Sequence, residues 1–102
     1  MITIFKSLEY GNIEGIVIDR KATLISIFVY PEYRNKGYGT ELFLYFLQQS
    51  FMNGAIHIEL DDCSSYYRKP NNIYLKYGLV YSNKDNHMEG NIRNIINNII
   101  NY

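Results

Sequence analysis

The stretch from Val29 to Thr40, Val-Tyr-Pro-Glu-Tyr-Arg-Asn-Lys-Gly-Tyr-Gly-Thr, constrains the fold more than any other part of the chain. Val29 lies near the end of an apolar run, Ala22 to Tyr30, whose β-branched and aromatic residues read as a strand. Pro31 ends that ladder because it has no N–H to donate. From Thr40 to Met52 nearly every residue is apolar or a good helix former, and Gly54 supplies the stop. The chain therefore passes from strand to turn to helix without a linker. The main helix, residues 38–53, is expected to pack on one face of a sheet.

Gly37 and Gly39 would each cost that helix front about 1 kcal/mol of propensity relative to alanine. They earn their place if backbone N–H groups there must approach a bulky ligand. Those first N–H groups have no intrahelical partner and form the positive end of the helix dipole. Arg34 and Lys36 add cations at the same end, a conflict that an anion resolves. A diphosphate fits, since it accepts several backbone donors at once and pairs with arginine. The turn lacks Gly-Lys-Ser/Thr, which excludes a nucleotide-hydrolysing P-loop.

Arg34-x-x-Gly37-x-Gly39 after a strand ending in Val-x-Pro resembles the acetyl-CoA-binding segment of the GNAT superfamily of N-acetyltransferases. The family signature there is Gln or Arg, two residues, Gly, one residue, Gly or Ala. The resemblance implies an α/β (α+β), acyl-CoA N-acyltransferase-like fold: a mixed, mostly antiparallel central sheet with a V-shaped splay between two parallel strands. It places the diphosphate on residues Arg34, Asn35, Lys36, Gly37, Tyr38, Gly39 and Thr40. The pantetheine arm would enter the splay beside Phe28 and Val29, whose unpaired backbone groups would bond it as a missing strand would. A second similarity lies in Ile73-Tyr74-Leu75-Lys76-Tyr77-Gly78-Leu79, which looks like the family's Leu-Tyr-x-Lys-x-Gly-Phe segment and gives Tyr74 the role of proton donor to the departing thiolate.

The remaining segments fit such a frame. Ile2 and Ile4 alternate with Thr3 and Phe5 in a short strand, Glu9 to Asn12 make a turn, and Ile13 to Ile18 return as a second strand. Asp19-Arg20-Lys21 turn into the third, so the first three strands form an antiparallel meander. After the helix, Ile56, Ile58 and Leu60 alternate with His57 and Glu59, a strand parallel to the third with its isoleucines and leucine facing the core. Asp61 to Pro70 is polar and reads as a loop. Asn71 or Asn72 caps a short helix stopped by Gly78, and Leu79–Ser82 with His87–Ile92 form a terminal hairpin. Isoleucines at 92, 95, 96, 99 and 100 have helical spacing. The expected organisation is a single domain over 1–92 with an amphipathic tail over 93–102.

At 102 residues, with 47% hydrophobic and 16% aromatic content, the chain is globular. Ten basic and ten acidic side chains cancel without a basic run, so nucleic acid is not the favoured partner. One cysteine, Cys63, allows no internal disulfide, and no apolar run reaches membrane length. A cytoplasmic protein is expected. With no second cysteine or paired histidines, no metal is expected.

The resemblance implies acetyl-CoA as cosubstrate and a primary amine as acceptor, a small molecule or a protein. Its general base is less plain. Thr23 stands near where many members carry Glu or His, and threonine is no base at neutral pH. Glu59, Asp61, Asp62 and His57 are the alternatives, while Cys63 as an acyl carrier would need a base beside it. Members usually begin with a strand and two helices that wall the acceptor site, and this chain has room for the later part alone. The alternative reading is therefore a catalytically inactive module that binds coenzyme A or a protein. Leu44, Tyr45, Phe51 and Met52 fall on the main helix where a one-sided helix should be polar, so either the Ile-rich tail or a second copy in a homodimer should cover them.

Overall fold

Strands β1 (Ile2–Leu8), β2 (Gly11–Ile18) and β3 (Lys21–Val29) are joined by two-residue links and pair antiparallel in sequence. The computed structural model describes residues 1–63, 72–82 and 85–101. Gly11 and Asn12, expected in the first turn, belong to β2 instead. A Cβ on Gly11 would lie 2.2 Å from the Phe28 carbonyl oxygen, so this glycine serves close strand approach rather than a turn.

The register of β3 against β2 slips once. Glu14 faces Ser26 but Gly15 faces Leu24, which leaves Ile25 as an extra residue. Such a bulge bends the strand and exchanges its faces. Ala22 and Leu24 are buried before it, whereas Ile27 and Val29 are the half-buried residues after it.

A 3-10 turn at Pro31–Tyr33 leads to helix α1 (Tyr38–Met52), and Gly54, with φ +92°, ends it. Leu42, Phe43, Phe46 and Leu47 are its buried apolar residues. The helix approaches β2 so closely that a Cβ on Gly15 would lie 2.2 Å from the Phe46 ring and 2.6 Å from the Thr23 carbonyl oxygen. Gly15→Ala should therefore destabilise the fold by about 2 kcal/mol through overpacking, read as a lower urea midpoint with an unchanged slope.

Strand β4 (His57–Asp61) then runs parallel to β3, but only Lys21, Ala22 and Thr23 find partners, in His57, Ile58 and Glu59. Beyond Thr23 the strands part, and this opening is the V-shaped splay. Ile58 and Leu60 face the core as expected, while Ile56 precedes the strand and is exposed. Asp61 ends β4 rather than opening a loop, and the rest of that expected loop beyond Cys63 lies outside the described residues up to Asn72.

Helix α2 (Ile73–Lys76) is followed by β5 (Val80–Tyr81) and β6 (His87–Asn91), which close a six-stranded sheet of order β1-β2-β3-β4-β6-β5. One pair in it is parallel, and the rest are antiparallel. The tail is helix α3 (Ile92–Ile100), capped by Asn91, whose side chain accepts from the Asn94 N–H at 3.1 Å. It packs along α1 and buries Ile92 and Ile95 in the shared core. Leu44 and Tyr45 are half-buried, and the Lys6 ammonium sits 5.2 Å over the Tyr45 ring. Phe51 and Met52 remain exposed in a shallow groove beside Arg93 and Ile96. Among the described residues no helix is long and apolar enough to cross a membrane.

Candidate active site

The glycine-rich turn has the geometry of an anion cradle. Asn35 and Gly37 both take left-handed backbone, with φ 63° and 86°, and the first bond of α1 runs from the Glu41 N–H to the Gly37 carbonyl at 3.1 Å. Among the described residues, nothing accepts from the backbone N–H groups of residues 37 to 40. Those donors lie at the positive end of a 15-residue helix. Arg34 is tied back: its Nε donates to the Val29 carbonyl at 2.9 Å and its guanidinium lies 5.2 Å over the exposed Phe28 ring. Tyr38 stacks on Tyr10 at 4.1 Å, Lys36 is exposed, and the Thr40 hydroxyl is hydrogen-bonded to that of Tyr77.

The turn borders a cleft of about 410 Å³, lined by Asn35, Gly37, Gly39 and Thr40 together with Ile27, Val29, Phe43 and Tyr74. A second cleft of about 330 Å³ continues between Leu24–Ile27 on β3 and Asp61–Cys63 at the end of β4. Ile27 and Tyr74 line both, so the two are halves of one splay between the parted strands. Of the residues expected to bind the cofactor, Val29, Asn35, Gly37, Gly39 and Thr40 line it. Arg34 joins them by its bond to Val29, whereas the Phe28 side chain, Lys36 and Tyr38 lie outside the lining.

Tyr74 stands where the two halves meet. The Asn72 side chain caps α2 by accepting from the Tyr74 N–H at 2.9 Å and the Leu75 N–H at 3.3 Å. The Tyr74 ring packs edge-on against Phe43, with centroids 5.4 Å apart. Burial, and secondarily the charge of Asp62 and the neighbouring Tyr77 and Cys63, push its phenol up to about 12. It therefore keeps its proton at any physiological pH.

The candidate bases separate. Asp61 and Asp62 line the second cleft, but Asp62 is buried and accepts from the Asn72 amide at 2.6 Å and the Tyr81 hydroxyl at 2.9 Å. Glu59 is not in either lining: Lys21 pairs with it at 2.9 Å and His87 at 3.1 Å. His57 lies 4.0 Å from Glu89, and one ligand atom each from His57, Glu59 and Glu89 fall within 4.8 Å of one another. Thr23 is the last residue of β3 paired with β4, at the point of the V. Cys63 is exposed, and the Asn86 amide, not an imidazole, lies against its sulfur at 3.7 Å.

His87 is the residue that sequence reading passed over. Its Nδ1 lies 3.1 Å from Asp61 and its Nε2 3.1 Å from Glu59. The hydrogen bond with Asp61, and then Glu59, raise the imidazole above its ordinary 6.5 against the opposing effect of burial. The hydrogen bond from Lys21 is the main influence holding Glu59 below the usual carboxylate value. A raised histidine stabilises the fold below its unfolded pKa and loses that contribution as pH climbs through its folded value. The thermal midpoint should thus fall between about pH 6 and about pH 8, and a His87→Gln variant should show a flatter profile over that range.

A family profile described as Acetyltransferase (GNAT) family matches residues 8–78. The chain belongs to the GNAT family of acetyltransferases. Its acyl-CoA N-acyltransferase-like fold recurs in solved structures. PaiA N-acetyltransferase from Thermoplasma acidophilum, solved in complex with coenzyme A, is 26% identical with a TM-score of 0.65, covering 80% of this chain and 53% of that one. Ard1 from Thermoplasma volcanium is 24% identical with a TM-score of 0.64, over 80% of this chain and 62% of that one. The anti-CRISPR protein AcrVA5 shares the fold at 15% identity and a TM-score of 0.68, and there the match covers 88% of this GNAT chain and 99% of the other. The chain thus spans little more than half the length of the two Thermoplasma proteins. A comparison with curated protein sequences finds no match.

Proposed function

We propose that this GNAT protein transfers the acetyl group of acetyl-CoA directly to a primary amine. The observation that carries the reading is the row of backbone donors at residues 37 to 40, engaged by nothing among the described residues, beside a cleft that Gly37, Gly39, Thr40 and Tyr74 line together. Those N–H groups and Arg34 would hold the diphosphate, and the parted strands would hold the pantetheine arm. Acetyl-CoA supplies an activated acyl group, and positioning it against the amine is worth about 7–11 kcal/mol of barrier.

The amine attacks in its neutral form, and its proton leaves through water, with the Asp61 carboxylate at the rim of the second cleft. Tyr74 donates to the departing sulfur. A phenol raised to about 12 is a weaker acid than a thiol near 8.5, so it steadies the thiolate by a hydrogen bond while the proton from the amine restores neutrality. Thr23 in place of a base favours the second reading, an inactive module that binds coenzyme A. The exposed, unpaired Cys63 fits a reducing cytoplasm, and Phe51 and Met52 fit a homodimer contact.

Calorimetric titration with acetyl-CoA, followed by thiol release against a panel of lysine peptides, N-terminal peptides, polyamines and amine antibiotics, tests this. Binding with release on at least one amine is expected. Binding without turnover on any would favour the inactive module, and no binding would end both readings.

A further inference from the structure

We propose that Asp62 is a positioning residue which, through the side chain of Asn72, fixes the backbone of Tyr74 and so sets its hydroxyl at the junction of the two clefts. The inference rests on the acetyltransferase reading. Asp62 follows the last residue of β4 and is 2% exposed, and its own N–H donates to the Asn86 carbonyl at 2.8 Å. Its Oδ2 accepts from Asn72 Nδ2 at 2.6 Å and from the Tyr81 hydroxyl at 2.9 Å. The other end of that amide, Asn72 Oδ1, accepts from the Tyr74 N–H. The Tyr74 carbonyl in turn accepts from the Leu79 N–H at 3.1 Å. One wall of the splay is thereby linked to Tyr74 through a chain of two hydrogen bonds, with both ends of the tyrosine's backbone held.

Stability alone gives a poor account of this arrangement. An exposed asparagine or serine would cap a four-residue helix equally well. Taking a carboxylate out of water costs more than a cap returns unless its donors are well placed. What the buried Asp62 adds is direction. It selects one orientation of the Asn72 amide, and that orientation decides where α2 begins and where the tyrosine side chain leaves it. The same charge also stands among the influences, after burial, that keep the phenol protonated.

The test compares Asn72→Ser, which keeps a capping oxygen but has no amide to offer Asp62, with Asp62→Asn, each alone and in a Tyr74→Phe background. Each single variant should lower kcat about tenfold with KM for acetyl-CoA nearly unchanged. In the Tyr74→Phe background the same exchanges should have almost no further effect on kcat, because they act through a group already removed. Wild-type kcat in both single variants, or an equal fall in the Tyr74→Phe background, overturns the proposal and leaves the acetyltransferase reading standing. If the wild-type protein releases thiol with no amine, that reading falls by itself. The Tyr74 ring resonances, assigned by their loss in Tyr74→Phe, then decide: they should shift or broaden in Asn72→Ser, and unmoved resonances overturn the positioning role.

Discussion

Tyr74→Phe should lower kcat for acetyl transfer about a hundredfold and leave the affinity for coenzyme A nearly unchanged. The exchange removes only the hydroxyl. The ring stays against Phe43, and the cap from Asn72 to the backbone N–H is untouched, so the thermal midpoint should hardly move. The cost falls on the step in which sulfur departs, when negative charge develops beside the residue that lines both halves of the cleft. The pH profile separates this from packing. A phenol raised to about 12 is protonated throughout the workable range, so kcat should show no falling limb from its ionisation at alkaline pH, and the rise with pH should belong to the amine. A twofold loss with an unchanged profile would make Tyr74 a packing residue.

The parts of this protein legible in its sequence are those where one residue type forces one backbone geometry. Pro31 ends β3, Gly37 opens α1 and Gly54 closes it, each for a local reason. The tail reads as a helix because isoleucines at helical spacing outweigh the weak propensities of Ile and Asn, and a cap from Asn91 fixes its start. Illegible were the features that depend on a partner far away in the chain. The bulge at Ile25 lies in an unbroken apolar run, where no alternation marks a change of face. Asp62 sits in a polar stretch that reads as solvated, yet Asn72 and Tyr81 bury it. Glu59 looked available as a base until Lys21 and His87, from strands on either side, took its oxygens. Alternation of His87 and Glu89 across from Asp61 and Glu59 was the available signal for that cluster, but reading it requires knowing that β6 pairs with β4.

Gly37→Val should weaken coenzyme A binding about a hundredfold, or roughly 2.8 kcal/mol, and the reason is conformational before it is steric. A Cβ at Gly37 meets nothing within 4 Å, so the free protein has room for a side chain there. Its φ of +86° is what valine resists, since a β-branched residue in the left-handed region costs about 1–3 kcal/mol. The strain can be relieved by turning the peptide, which would swing the N–H groups of residues 37 to 40 off the proposed diphosphate. Gly37→Asn separates the two effects. Asparagine tolerates left-handed backbone and should keep the native midpoint, yet its side chain would stand beside the cleft that Gly37 lines, where the proposed diphosphate would approach. It should therefore bind coenzyme A more weakly than wild type at unchanged stability. Gly39→Ala is the counterpart. Its Cβ would rest 3.8 Å from Val29 Cγ2, an ordinary contact, so any loss of affinity there at unchanged stability reports the ligand's approach to the backbone. If the folded Gly37→Val and Gly37→Asn proteins both bind coenzyme A like the parent in calorimetry, the turn is not the cradle, and the acetyltransferase reading loses the observation that carries it.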